Sequence, residues 1–243
     1  MIRLENVHKS FGDRQILQSL DLHIPSGEVF AIMGQSGTGK SVLLKHMVGL
    51  LQPDVGDVWI DGSNLNTLTR RELKNLRRRF GYLFQSGALI NWMDIEDNVS
   101  LPLREHTRLS ATEIHERVAQ RLGWVRLLGD EKKMPSEISG GMRKRVGLAR
   151  AIILDPDIVL YDEPTSGLDP ITARVIRTLI REVNDRLEST SVVVTHDILD
   201  AVEAADRIGF LFDGKIVEIC TPEELENTQN ERVRNFIEGV PLD

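Results

Sequence analysis

The chain has 243 residues, of which 41% are hydrophobic and 28% are charged, as is usual for a globular protein with a substantial core. Its formal net charge of -7 argues against a general nucleic-acid binder, because such proteins are usually basic. The one cysteine, Cys220, excludes a disulfide framework and a cysteine-based metal site, and it fits a reducing compartment such as the cytosol. We expect no signal peptide and no membrane span, since no apolar run approaches roughly 18 residues.

The first 60 residues predict short strands separated by turns. Residues 28–33 predict an apolar strand that leads directly into a glycine-rich loop, and a helix is predicted over 42–51. The charged stretch 70–79 predicts the solvated face of a helix, with a nucleic-acid patch as the alternative. A strand is predicted over 80–85, with Gln85 as its last residue.

The middle of the chain predicts helices. Ser110 and Glu113 have the spacing of a capping box, and apolar residues recur at helical period behind them as far as Val125. Gly129 is expected to end that helix. Residues 86–138 therefore predict a mostly helical insert between two portions that are rich in strands.

Strands and helices alternate in the last hundred residues. This alternation, with buried strands, predicts an α/β fold in which helices flank a largely parallel sheet. We predict helices over 142–154 and from the N-cap Asp169 and Pro170 onward, strands over 158–160 and 191–195, and a closing hairpin over 210–217.

The glycine-rich loop fits the phosphate-binding pattern G-x-x-x-x-G-K-[ST]. Its glycines allow the backbone to wrap around phosphate oxygens, and the N-terminus of the next helix points at the anion. Lys40 is expected to reach the β- and γ-phosphates of ATP, and Ser41 to offer its hydroxyl to Mg²⁺. An ordinary glycine turn is the alternative, but the position between a strand and a helix favours nucleotide binding. The loop is Gly34, Gln35, Ser36, Gly37, Thr38, Gly39, Lys40 and Ser41.

A second acidic element follows the strand over 158–160. The strand leads into Asp162 and Glu163, and a solvated turn would be the usual reading of such a pair alone. Beside a phosphate loop, however, Asp162 is placed to organise Mg²⁺. Glu163 can then polarise the attacking water as a general base. The two elements together predict an enzyme that hydrolyses ATP.

The segment from Ile138 to Met142 is similar to the ABC signature, which usually reads Leu-Ser-Gly-Gly-Gln. It comes shortly before the acidic strand, and the chain resembles an ABC-type ATPase over nearly its whole length. The resemblance implies a head-to-tail homodimer in which each ATP lies between the phosphate loop of one copy and Ser139, Gly140 and Gly141 of the other. Met142 stands where the family usually has glutamine, so a polar contact of that side chain would be lost.

The resemblance also implies the fold. We expect a P-loop NTPase with a RecA-like core, an antiparallel β subdomain and a helical subdomain, all within one domain over 1–243. The core with its β subdomain is expected over 1–85 and 139–220, the helical subdomain over 86–138, and a C-terminal helical tail over 221–243.

Four further residues match functional positions of the family. The resemblance implies that Gln85 contacts Mg²⁺ and water, that Asp169 belongs to the D-loop at the dimer interface, and that His196 contacts the γ-phosphate. Phe11 stands where an aromatic ring stacks on adenine, although Phe11 could be a core residue and His196 a satisfied polar residue. The predicted catalytic residues are thus Lys40, Gln85, Glu163 and His196, and the predicted Mg²⁺ ligands are Ser41, Gln85 and Asp162.

Four segments resemble the Mla (maintenance of lipid asymmetry) family of phospholipid transport ATPases. The resemblance implies a permease that docks near residues 86–106, a small STAS-domain subunit, an MCE lipid-binding protein and a place on the cytoplasmic face of the inner membrane. No nucleic-acid partner is expected. The segments are 84–89, 98–106, 140–146 and 233–239.

Other functions stay open at this point. Residues 86–106 could be a helical lid, and importers for amino acids, metals or other solutes would use the same groove. A non-transport ABC protein of DNA repair or translation is a second class, but such proteins typically carry long insertions, zinc sites or fused ATPase domains. A nucleotide-binding regulator without turnover is a third class, which the presence of both Glu163 and His196 disfavours.

Overall fold

The computed structural model of the protein describes residues 2–240. The strands within them are β1 (Ile2–Phe11), β2 (Arg14–Ile24), β3 (Val29–Met33), β4 (Val55–Ile60), β5 (Ser63–Asn64), β6 (Phe80–Leu83), β7 (Ile158–Asp162), β8 (Thr190–Thr195), β9 (Arg207–Phe212) and β10 (Lys215–Cys220). The helices are α1 (Lys40–Met47), α2 (Arg70–Arg77), α3 (Ile95–His106), α4 (Ala111–Trp124), α5 (Gly140–Ala151), α6 (Pro170–Leu187), α7 (Ile198–Ala204), α8 (Pro222–Leu225) and α9 (Glu231–Glu238), with a 3₁₀ turn at Pro135–Glu137.

The chain forms two compact units. Among the described residues, the first contains 2–77 and 192–240, and the second contains Arg78–Ser191. The first unit therefore carries the glycine-rich loop, and the second carries the acidic strand end and the signature segment. The division predicted from the sequence follows other boundaries and stays a prediction.

Two groups of strands form the first unit. In one, β1 lies between β2 and β4 in an antiparallel sheet, so that Ile2 faces Ile24 on one side and Ile60 on the other. In the other group, β9 pairs antiparallel with β10 and parallel with β3, and β8 lies beyond β3. All five residues of β3 are buried and apolar, which confirms the strand predicted before the loop.

Parallel strands and packed helices form the second unit. β6 pairs parallel with β7, and α5 packs on β6 so closely that a Cβ at Gly81 would lie 2.5 Å from the Ala151 carbonyl oxygen. Helices α3 and α4 pack on each other and on α5, burying Val99, Leu103 and Val118. The parallel pairs and the flanking helices confirm the predicted α/β class.

Several predicted boundaries need correction. The capping box of Ser110 and Glu113 is confirmed at the start of α4, but this helix ends at Trp124 and not at Gly129. The chain leaves the helix early because Arg126 takes a left-handed conformation, with φ 60°. β6 ends at Leu83, so Gln85 lies in the loop after the strand and is not its last residue.

The last two strands contain the one cysteine of the chain and form the closing hairpin. Cys220 is buried at the end of β10, where burial first and then the charges of Glu218 and Glu224 raise the pKa of its thiol to about 11. The predicted closing hairpin is confirmed by β9 and β10, which are joined by Asp213 and Gly214 at positive φ.

Among residues 2–240, no helix combines the length and the apolar character that a membrane span requires.

Candidate nucleotide site

The glycine-rich loop joins the buried strand β3 to helix α1 in the first unit. Gly37 and Gly39 have φ values of 82° and 102°, a region that L side chains rarely adopt. A Cβ at Gly39 would also lie 2.6 Å from Ile16 Cγ2. Gly39 is the N-cap of α1 and has no side chain to occupy the N–H groups of the first turn, so this helix end can receive an anion.

Lys40 lies across the loop that precedes it. Its side chain is only 5% exposed, and its ammonium donates to the carbonyl oxygens of Gly34 at 2.7 Å and Gln35 at 3.0 Å. Thr38 Oγ1 also donates to the Gln35 carbonyl, at 2.9 Å. The loop is therefore closed around a buried positive charge, with Ser41 next to it in the first turn of the helix.

A cavity of about 440 Å³ lies against residues 35–38 of the loop. The start of β2 and the turn between β9 and β10 complete its wall. Arg14 extends along this wall and donates to the Gly37 carbonyl oxygen at 3.4 Å. No local sequence pattern marks Arg14 as a functional residue, because its contact with the loop depends on how the β1–β2 hairpin folds.

Phe11 ends β1 with its ring 49% exposed, which is unusual for a large apolar side chain of the core. The ammonium of Lys9 lies 5.6 Å from the ring centroid and is paired with the carboxylate of Asp54 at 2.7 Å. The backbone N–H of Ser10 donates to the same carboxylate at 2.7 Å. These contacts fix the end of the strand, and the exposed ring can stack on a planar base.

His196 is exposed immediately after β8. The turn that carries it is fixed from both sides, because Thr195 Oγ1 donates to the buried Asp200 carboxylate at 2.8 Å and accepts the Asp197 N–H at 3.0 Å. Asp197 in turn caps α7. The histidine thus extends from a buried strand end whose hydroxyl and carboxylate are already paired.

The acidic strand end lies in the second unit. Asp162 is the last residue of β7 and accepts a hydrogen bond from the Tyr82 hydroxyl at 3.2 Å. Burial and the charge of Asp162 raise the pKa of Tyr82, so the phenol stays a donor. Glu163 follows at φ 48°, a left-handed conformation that is uncommon for any residue except glycine.

Gln85 reaches the same loop from β6. Its side-chain NH₂ group donates to Ser166 Oγ at 3.2 Å, three residues beyond Glu163. Lys144, on α5, donates to the carbonyl oxygens of Glu163 at 3.0 Å and Ser166 at 2.8 Å. The second unit therefore brings Gln85 and the loop after Asp162 together. It also contains a buried lysine, Lys144, that no local sequence pattern marks as functional.

The signature segment begins α5. Ser139 is its N-cap, exposed, with Oγ accepting the Met142 N–H at 3.2 Å. A Cβ at Gly140 would make only ordinary van der Waals contacts, at 3.9 Å from the side chains of Arg143 and Leu168, whereas a Cβ at Gly141 would clash with the Thr172 methyl group on α6. Gly141 is therefore required by packing. Met142 contributes to the cap through its backbone N–H, which every residue except proline would supply.

Asp169 has the capping role that the sequence predicts. Its carboxylate accepts the N–H groups of Ile171 at 3.1 Å and Thr172 at 3.0 Å at the start of α6. Hydrogen bonds from the Thr172 side chain and then from these backbone groups lower the pKa of this exposed carboxyl. Helix capping thus accounts for the residue type at this position within the chain itself.

A glycine loop that closes around a buried lysine and opens a helix behind a buried strand is the phosphate-binding arrangement of P-loop nucleotide-binding proteins. Residues 17–166 match a family described as ABC transporter. The chain belongs to the ABC transporter family and is an ATP-binding subunit with the ATPase fold of that family.

The relatives are similar over nearly the whole chain. A probable ribonucleotide transport ATP-binding protein, mkl, of Mycobacterium leprae is 45% identical over 238 residues, which are 98% of this chain and 69% of the relative. The intermembrane phospholipid transport system ATP-binding protein MlaF of Escherichia coli K12 is 43% identical over 240 residues, which are 99% of this chain and 89% of the relative.

A solved structure gives the same fold. The cassette MJ0796, described as a dimer in a post-hydrolysis state bound to ADP and Pi, has a TM-score of 0.84 and 36% identity. The similarity covers 91% of this chain and 99% of MJ0796. The predicted ABC-type fold and ATP hydrolase activity are therefore confirmed, as is the resemblance to the Mla family.

Proposed function

We propose that this chain is the ATP-hydrolysing subunit of a transporter that moves phospholipids, and that it works as a homodimer bound to a membrane permease. The proposal that the chain binds ATP is supported above all by the loop that closes around Lys40, with glycines at positive φ and a helix N-terminus beside it. Such a site is already organised for phosphates. Phe11 would stack on adenine, residues 34–41 would hold the phosphates, and His196 would contact the γ-phosphate.

The proposed Mg²⁺ ligands, Ser41, Gln85 and Asp162, have side-chain oxygen atoms of the kind that Mg²⁺ prefers. Ser41 offers a hydroxyl and Asp162 a carboxylate, and Gln85 uses its NH₂ group on Ser166, which leaves its amide oxygen as the group it can offer. Mg²⁺ prefers hard oxygen ligands, and proteins usually bind it through one or two carboxylates together with the phosphates of the substrate, so Asp162 would be the carboxylate of this site. The bound ion would neutralise charge on the phosphates, while Glu163 would hold and deprotonate the attacking water.

The homodimer rests on the exposure of Ser139 and on the dimeric relative MJ0796. In the proposed pair, Ser139 and Gly140 of one copy contact the phosphates of ATP bound to the other, with Gly141 and Asp169 at the same interface. The serine hydroxyl at the N-terminus of α5 is a chemically suitable anion contact.

Replacement of Ser139 by aspartate tests the shared site. Aspartate caps a helix as well as serine does, so the fold should be retained, but its charge would repel phosphate. We expect ATP hydrolysis to fall at least tenfold while dilute monomers bind ATP with unchanged affinity. Ser139→Thr, which keeps both hydroxyl and cap, should retain activity. An equal loss of ATP affinity in monomers carrying Ser139→Asp would contradict the shared site.

A surface near residues 86–106 supports a membrane partner. Trp92 is 80% exposed in a loop held by the buried amide of Asn98. Asn98 Oδ1 accepts the Ile90 N–H at 2.7 Å, and its Nδ2 donates to the carbonyl oxygens of Ile90, Met93 and Asp94 at 3.0 to 3.1 Å. A rigid loop that exposes an indole ring has the character of a binding hot spot.

Capture from membranes tests this docking surface. We expect the tagged chain to retain a polytopic membrane protein from detergent-solubilised membranes, and Trp92→Ala to reduce its recovery at least tenfold, since a buried tryptophan anchor contributes about 2 kcal/mol or more. Leu128→Ala is the matched control, because Leu128 is 68% exposed in the same unit but outside this segment. Capture of ribosomes or DNA in place of a membrane protein would contradict a transport function.

Phospholipid is the proposed substrate because MlaF is 43% identical and this chain spans 89% of its length. The 45% identity to mkl makes a ribonucleotide transporter the second candidate. Mass spectrometry of the captured complex separates the two, because phospholipid in stoichiometric amount supports the first and retained ribonucleotide in its place supports the second. The STAS-domain and MCE proteins, and a position on the cytoplasmic face of the inner membrane, belong to the same proposal.

A further inference from the structure

We infer that Lys144 is a positioning residue for ATP hydrolysis, and that it links the alignment of Glu163 to the contact that Ser139 makes with nucleotide. The inference rests on the proposed roles of Glu163 and Ser139. All three residues lie in the second unit, and helix α5 carries both Ser139 and Lys144.

Lys144 is a buried cation that makes hydrogen bonds to the turn after Glu163. It is 5% exposed, and its ammonium donates to the carbonyl oxygens of Glu163 at 3.0 Å and Ser166 at 2.8 Å. Burial of an ammonium is costly unless hydrogen bonds replace water. The chain between Glu163 and Ser166 is also closed by the Ser166 N–H, which donates to the Glu163 carbonyl at 3.3 Å. Lys144 thus fixes both ends of a tight turn.

Glu163 needs such support because of its backbone. At φ 48° a residue with a side chain is less stable than in the ordinary backbone regions, because its Cβ crowds the neighbouring carbonyl oxygen. A conformation of this kind persists where surrounding contacts impose it. The direction in which the Glu163 side chain leaves the main chain follows from this backbone conformation, so a group that holds the Glu163 carbonyl oxygen also helps to orient the carboxylate.

Helix α5 extends this contact to the signature segment. Ser139 caps the helix, and Lys144 follows five positions later, about 7.5 Å along the axis. A helix of this length moves as a rigid element, so a shift of Ser139 on binding phosphate carries the ammonium of Lys144 with it. In the proposed dimer, ATP held by one copy would thereby align the Glu163 that acts on ATP held by the other.

The loop after Gln85 is attached to the same helix. Arg150 donates to the carbonyl oxygens of Gly87 and Ala88 at 2.8 Å each, and a Cβ at Gly147 would lie 3.0 Å from the Gly87 carbonyl oxygen. Movement of α5 would therefore reach Gln85 as well as Glu163. The signature helix is the common support of both groups.

The variant Lys144→Met, measured in the captured transporter complex, tests the inference. Methionine is similar to lysine in length but cannot donate hydrogen bonds to the carbonyl oxygens of Glu163 and Ser166. We expect kcat to fall roughly 10- to 100-fold, which is less than the 10²- to 10⁴-fold that a general base itself contributes, because Glu163 would be misaligned and not removed. The KM for ATP should change less than about twofold. Lys144→Arg, which restores a cationic donor, should recover most of the activity. Lys144→Gln, a shorter neutral donor, gives a second reading if the methionine variant does not fold.

Arg145→Met is the matched control on the same helix. Arg145 also donates to loop carbonyl oxygens, those of Val125 at 3.1 Å and Arg126 at 2.9 Å, but it does not contact the turn after Glu163. We expect its kcat to stay near that of the unmodified chain. Equal losses of kcat in the two methionine variants, a change confined to KM, or full activity of both Lys144→Met and Lys144→Gln would overturn the inference. Glu163→Gln is measured alongside, because its full activity would instead overturn the proposed function.

Discussion

Glu163→Gln should bind ATP and fail to hydrolyse it. The amide has the shape of the carboxylate but cannot accept a proton from water, so we expect the rate of phosphate release to fall by roughly 10²- to 10⁴-fold. The affinity for ATP should be retained, because Glu163 is not one of the proposed phosphate ligands. Dimers should accumulate with ATP, since the step that separates the copies is blocked, and light scattering would show them.

Glu188→Gln is the control for this change. Glu188 ends α6 in the same left-handed conformation, with φ 50°, and it lies in the same unit. The same chemical substitution at that site should leave hydrolysis unchanged. Hydrolysis by Glu163→Gln at the rate of the unmodified chain would show that another group accepts the proton.

Lys40→Met should lose nucleotide. Charge-assisted hydrogen bonds to phosphate contribute about 3 kcal/mol, so the Kd for ATP should rise roughly 100-fold. The loop should also loosen, because the carbonyl oxygens of Gly34 and Gln35 lose a donor that the structure supplies at 2.7 and 3.0 Å. Titration calorimetry measures the affinity, and hydrogen exchange of residues 34–39 measures the loosening.

Lys45→Met provides the comparison on the same helix. Lys45 is exposed in the last turn of α1, so its removal should change neither ATP affinity nor exchange in the loop. If both lysine variants weakened binding to the same extent, general loss of positive charge would explain the result, and the specific role of Lys40 would be wrong.

Local patterns predicted the parts of this protein in which neighbouring residues decide the outcome. The buried strand β3, the capping box of α4 and the hairpin of β9 and β10 each depend on a few consecutive residues. The phosphate loop belongs with them, because its two special glycines and Lys40 act within a single turn of chain. The structure shows where each predicted site residue lies. The roles of these residues in ATP hydrolysis stay predictions, which the variants described above would test.

Contacts between residues that are far apart in the sequence could not be predicted from local patterns. Lys144 lies 19 positions from Glu163, and Gln85 lies 81 positions from Ser166. No local periodicity marks such pairs. The predicted end of α4 was wrong for a related reason. Gly129 is the residue type that usually ends a helix, but Arg126, an ordinary residue for a helix interior, takes the left-handed conformation three residues earlier. Departures of this kind depend on tertiary packing.

The buried thiol of Cys220 makes this chain suited to site-specific fluorescent labelling. Maleimide dyes react with exposed thiolates near neutral pH, and a buried thiol with a pKa of about 11 meets neither condition. A cysteine introduced at the exposed position Leu128 would therefore be labelled selectively without removal of the native one. Energy transfer between two copies labelled there would follow their association and separation during single rounds of ATP turnover.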